Sequence, residues 1–123
     1  MGRKLGTPAS QLVKNGKIKG SDLMDIVPKD TVNKFRPDAD LRKGFKYEFA
    51  EPSTGKKIRI HGHEANPRAP TGSTSKEGWT VRIRSGNKFL TKQGEWVYQG
   101  QARGARANDT HIKFDTVFGD LTQ

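Results

Sequence analysis

The chain predicts an α+β domain in which short N-terminal helices pack on an antiparallel β-sheet. Three observations carry that prediction. Leu23, Met24, Ile26 and Val27 form an apolar stripe at helical spacing that stops at Pro28. From Phe45 onward the apolar period falls to two, as on a strand with one buried face. The alternating segments are then punctuated by turns rich in Gly, Pro, Asn and Ser. At 123 residues the chain can bury one core but is too short for two ordinary domains.

Element by element, Met1–Gly20 is rich in Lys and Gly with little apolar content, and is assigned as a flexible lead-in to a domain spanning 21–123. Ser21 is placed to cap the first helix, and Asp30 to open a further helical turn through Phe35. Pro37–Gly44 is a polar connector. Phe45, Tyr47 and Phe49 alternate with Lys46 and Glu48, and Pro52–Gly55 turns that strand into Lys57–His61. There Ile58 and Ile60 point inward, leaving Lys57, Arg59 and His61 on the opposite face. Gly62–Gly78 is a long irregular loop, and loops of that length in a small domain are usually functional.

Trp79, Val81 and Ile83 next alternate with Thr80, Arg82 and Arg84, giving a strand with a cationic outer face. Ser85-Gly86-Asn87 turns into Lys88–Thr91, and Gln93-Gly94 turns into a strand bearing Trp96 and Tyr98. Gly100–Asp109 is a basic loop, after which Ile112 and Phe114 point inward while His111 and Lys113 face out. Trp79, Trp96, Tyr98 and Phe114 fall on the apolar phase and are assigned to the core.

Net charge is +10, which calls for a polyanionic partner: a nucleic acid, an anionic membrane surface or an acidic protein. The excess is concentrated, because 12 Lys/Arg against four carboxylates between Lys56 and Lys113 leaves +8 of it there. A merely solvated basic surface is the plain alternative. The absence of cysteine removes disulfides, thiolate catalysis and Cys-containing zinc sites. No apolar run approaches a membrane span, and Met1–Ser10 lacks the apolar core of a secretory signal.

Among the three histidines, His61 and His111 share the polar phase with Arg82 and Arg84. RNA carries its own nucleophile, the 2′-hydroxyl. Cleaving it needs a proton acceptor, a proton donor for the leaving 5′-oxygen, and cations for the charge that builds on phosphorus. Imidazoles suit both transfers, and guanidinium forks suit the phosphate. His61 and His111 are therefore the candidate acid–base pair, in interchangeable roles, with Arg82 and Arg84 on the phosphate. Lys57, Arg59, Arg103 and Arg106 extend the RNA-binding groove, and Ser73 in the loop offers a hydroxyl or backbone contact. His63 two residues after His61, followed by Glu64, leaves a metal-dependent DNase as an alternative centre, although a third convincing ligand is missing. The remaining alternative is a nucleic-acid-binding module that uses the charge and needs no histidine. No cofactor is expected.

The order of several segments resembles a family of C-terminal toxin domains from bacterial polymorphic toxin systems, the type 30-like domains. The matching pieces are Leu23–Asp30, Arg59-Ile60-His61-Gly62, Ala69–Ser73, Gly78–Ile83 and Asn108–Ile112, over about Ser21 to Phe114. The resemblance implies a ribonuclease fold similar to barnase, EndoU, colicin E5/D and RelE, with helices followed by a twisted antiparallel sheet. It implies RNA cleavage, with tRNA the expected substrate, in the cytoplasm of a competing cell. Delivery would be as the C-terminal part of a larger secreted or cell-surface effector, as in contact-dependent inhibition. A cognate acidic immunity protein is the expected partner, and the free toxin domain is expected to be a monomer. The matching site positions are His61, Ser73, Arg82, Thr110 and His111. Two departures stand out: Gln101–Ala107 lacks a His-Asn-Pro-type stretch, and His63-Glu64 replaces Pro-Asp. No family role passes to His63.

Overall fold

A computed structural model describes residues 9–37, 42–51, 54–69, 71–73, 76, 78–101 and 109–115. Among these, one α-helix and eight strands form an α+β domain around an open, mostly antiparallel sheet. The strands are β1 (Val13–Lys14), β2 (Lys17–Lys19), β3 (Gly44–Ala50), β4 (Lys57–His63), β5 (Thr80–Ser85), β6 (Lys88–Leu90), β7 (Trp96–Tyr98) and β8 (Ile112–Asp115). The main path runs β1-β2-β8-β5-β4-β3, and the β6–β7 hairpin branches from β5. Only the β2–β8 pairing is parallel among these ladders. No helix among the described residues is long and apolar enough to cross a membrane.

The central strands follow the alternation read from the sequence. Phe45, Tyr47, Phe49, Ile58, Ile60, Val81, Ile83, Ile112 and Phe114 are buried together on one face. Helix α1 (Gly20–Ile26) adds Leu23 and Ile26 to the same cluster, joined by Val27 just beyond its end. Phe45 is the hub, with ring centroids 5.2 Å from Phe114, 5.6 Å from Tyr47 and 6.4 Å from Trp79. Burying one such ring stabilises the fold by roughly 1.5–3 kcal/mol. The opposite face of β3, β4 and β5 is left to the polar phase.

Several expectations change. The lead-in assigned to 1–20 does not hold from Ala9 onward. A 3-10 helix (Ala9–Leu12) is followed by the β1–β2 hairpin, and β2 pairs with β8. The hairpin turns on Asn15 (φ 54°) and Gly16 (φ 74°), the left-handed pair that a tight two-residue turn requires. Ile18, alone between Lys17 and Lys19, is fully buried, so a single apolar residue secures the strand. Helix α1 starts before Ser21, with Lys19 at its N-cap and no side-chain cap.

The second helical turn, expected from Asp30 to Phe35, is absent. The Asn33 side chain accepts hydrogen bonds from Phe35 N (3.0 Å) and Lys46 N (3.0 Å), and Lys34 N donates to Lys46 O (2.8 Å). Asn33 thereby ties the chain flat along the free edge of β3 in place of a helix. Tyr98, assigned to the core, is 53% exposed. It sits at the end of the β6–β7 branch, beyond the packed sheet, with the Lys88 ammonium 4.9 Å from its ring centre.

Candidate nuclease site

Strand register builds the site. In β3, β4 and β5 the pairs Lys46–His61 and His61–Arg82 place those three residues in one row across the polar face. Thr80 pairs with Lys113 and Val81 with Ile112, so continuing that antiparallel register by one step sets His111 beside Arg82. The row therefore reads Lys46, His61, Arg82, His111. With strands about 4.8 Å apart, the two histidine backbones lie on the order of 10 Å from each other, with Arg82 between them. A phosphate over Arg82 would then stand between two imidazoles.

His61 is half-buried. The Phe35 ring lies 6.1 Å away and the His63 ring 5.7 Å away, edge-on. Burial, then the neighbouring charges of His63, Lys46, Arg82 and His111, lowers its pKa from 6.5 to about 4. His61 is therefore a neutral imidazole at pH 7, with a nitrogen lone pair able to take a proton. His111, also half-buried, is positioned by the turn that leads into β8. Lys92 N donates to Asp109 O (2.8 Å), and the Lys92–Asp109 ion pair at 3.6 Å fastens the same turn.

Arg82 is held by an aromatic ring. Its guanidinium carbon stands 4.3 Å from the centre of Phe89, which β6 contributes to the polar face. Burial, then the charge of Arg84, lowers the Arg82 pKa, but a guanidinium stays charged at neutral pH. Its Nε is buried and has no hydrogen-bond partner among the described residues. A charged donor left unpaired in this way is costly unless an anion completes it.

The next row is Glu48, Arg59, Arg84, Phe89. Arg84 is tied down, with Nε donating to Gly86 O (2.6 Å) and a terminal nitrogen to Gln99 Oε1 (3.3 Å). Glu48 gathers Arg59 (3.3 Å), Lys34 (3.5 Å) and Lys57 (3.7 Å). Desolvation pushes the Glu48 carboxyl upward, but Arg59 and Lys34 outweigh it and hold the group below the usual carboxylate range. Lys57 and Arg59 thus reach the polar face already paired with a counter-charge.

The other expected site residues stand differently. Ser73 lies in the loop between β4 and β5, outside the strand rows, and its carbonyl accepts Lys76 N (3.2 Å). Thr110 is 0% exposed. Its side chain is closed off from solvent, beneath the surface on which His111 lies. Arg103 and Arg106 lie outside the described residues. His63 Nδ1 is 2.7 Å from Glu64 O, and the Glu64 carboxylate accepts the backbone N–H groups of Arg42 and Lys43, both at 2.9 Å. Glu64 therefore serves to close a turn, and no group of three metal-ligating side chains assembles among the described residues.

Sequence reading passed over three contributors. Lys46 and Glu48 were legible as the polar phase of β3, but their partners depend on the register. Phe89 left a fainter signal: adjacent Phe89 and Leu90 make a short strand apolar on both faces, so one of them has to serve the polar side.

Comparisons with curated proteins and with solved structures gave no match. A family model did match, the one described as bacterial toxin 30, over residues 22–115, which takes in most of α1, the central strands and both histidines of the row. The chain belongs to the bacterial toxin 30 family.

Proposed function

We propose that this toxin domain is a metal-independent endoribonuclease. The observation that carries the reading is the His61–Arg82–His111 row, two imidazoles flanking a half-buried guanidinium whose buried Nε–H is unpaired. His61, neutral at pH 7, takes the proton of a 2′-hydroxyl. The 2′-oxygen attacks phosphorus, and charge builds on the non-bridging oxygens, where Arg82 and Lys46 stabilise it. The bond to the 5′-oxygen breaks as His111 in its protonated form donates to that oxygen, leaving a 2′,3′-cyclic phosphate and a free 5′-hydroxyl. Each transfer contributes about 10²–10⁴-fold when the donor or acceptor is placed within roughly 2.6–3.2 Å.

The family supports a delivered effector; on the ribonuclease reading, its place of action is the cytoplasm of a competing cell and its substrate is tRNA. The cationic face would be covered in the producing cell by an acidic immunity protein. The test is incubation of the purified domain with total tRNA in EDTA. Wild type should produce fragments, whereas His61→Ala and His111→Ala should lose at least about 100-fold in rate. Binding without fragments would favour a nucleic-acid-binding module, and cleavage that stops in EDTA and extends to plasmid DNA would favour a metal-dependent DNase.

A further inference from the structure

Beside His61 the polar face carries a groove of about 600 Å³, lined by Asn33, Lys34, Phe35, Arg36, Lys46 and His61. Its construction is specific. Gly44 pairs with His63 two residues along β3 from Lys46, and a side chain there would collide with the Phe35 ring and with Gly62 O. The absent side chain lets the ring lie against the strand backbone, while the Asn33 clasp on Phe35 N and Lys46 N sets where the ring enters. Phe35 is only half-buried, in a segment that otherwise contributes polar and cationic groups. A flat aromatic ring held beside the base of an acid–base pair, on a cationic surface, fits a planar heterocycle better than it fits a phosphate.

We propose that this groove is a nucleobase subsite, in which Phe35 stacks on the base of the nucleotide whose 2′-hydroxyl His61 deprotonates. The inference rests on the ribonuclease reading above and deepens it. The groove opens on the His61 side of the row, so the base next to it belongs to the ribose that supplies the nucleophile, and the departing nucleotide lies toward His111. Lys46 reaches the same groove and links the subsite to the scissile phosphate. Phe35 is here a substrate-positioning residue whose contact orients the ribose for in-line attack.

The test uses a DNA oligonucleotide with a single ribonucleotide, bearing either its base or an abasic ribose, cut by wild type and by Phe35→Leu. Leucine still covers Gly44 but offers no flat face, and Phe35→Trp restores one. Wild type should cut the base-bearing substrate about 5- to 150-fold faster in kcat/KM, the span that base–aromatic stacking supplies. Phe35→Leu should bring that ratio to within about two, and Phe35→Trp should recover it. Equal cutting of both substrates by wild type, or an undiminished ratio in Phe35→Leu, overturns the subsite while leaving the ribonuclease reading intact. Failure of wild type to cut either substrate, or tRNA, removes the ribonuclease reading and the subsite with it. Matching thermal melting of the variants shows that a changed ratio is not an unfolded protein.

Discussion

Replacing His61 by Gln should change how stability depends on pH, whatever the substrate. In the folded chain the His61 pKa is about 4, against about 6.5 for an unfolded histidine. Between those values the unfolded chain takes a proton on this residue and the folded chain does not, so stability contributed here is present above about pH 6.5 and drains away as pH falls toward 4. A full shift of that size would remove about 2.5 kcal/mol between pH 7.5 and pH 4.5. The ring is partly open to solvent, so screening reduces the working figure to roughly 1–1.5 kcal/mol. Gln cannot titrate, and the other groups cancel in the comparison. Urea unfolding of wild type and His61→Gln at pH 7.5 and 4.5 is the assay. Wild type should lose about 1 kcal/mol more than the variant on acidification. Equal losses would refute a buried, neutral His61, and with it the assignment of this residue as proton acceptor.

Three further outcomes follow from the same geometry. The acid limb of kcat/KM, which reports the free enzyme, should fall near pH 4, so that activity is retained at pH 5; a limb near 6.5 would mean that His61 is not the group that must be neutral. Phe89→Leu removes the ring under Arg82 and should lower kcat/KM by a factor of roughly 2 to 30, corresponding to about 0.5–2 kcal/mol of cation–π contact, with the melting temperature falling by several degrees because the ring is buried; unchanged kcat/KM in the folded variant would show that the ring does not hold Arg82 for the reaction. Glu48→Gln releases Arg59, Lys57 and Lys34 from their shared carboxylate, so RNA affinity in filter binding should rise and the slope of log K against log salt should steepen by up to about 2; weaker binding would show that Glu48 orients those cations for the substrate.

Much of the fold was legible because β3, β4, β5 and β8 repeat the same signal, apolar residues at alternate positions with Lys, Arg or His between them. That alternation also puts His61, Arg82 and His111 on one face. It could not say that β8 would lie beside β5, which is what sets His111 next to Arg82, because neighbour order in a sheet is decided by tertiary packing. The N-terminal errors have a local cause. Ile18 is one apolar residue between two lysines, too short a pattern to outweigh the surrounding composition, although Asn15-Gly16 marked the hairpin. Asn33 defeated the helix expected over Asp30–Phe35 by offering the backbone a side-chain acceptor across to Lys46. Glu48 was visible as a polar-phase residue, yet its hold on Lys57 and Arg59 emerges only from the β3–β4 register. Thr110 matches by resemblance, and its full burial is a tertiary property that no motif reveals.

Mass analysis of product ends bears most directly on two imidazoles working through the substrate's own hydroxyl. RNA cut in EDTA by the wild-type domain should carry 2′,3′-cyclic phosphate on one fragment and 5′-hydroxyl on the other, and the same RNA with 2′-O-methyl riboses should stay whole. Fragments ending in 3′-hydroxyl and 5′-phosphate, or cleavage of the methylated strand, would contradict it.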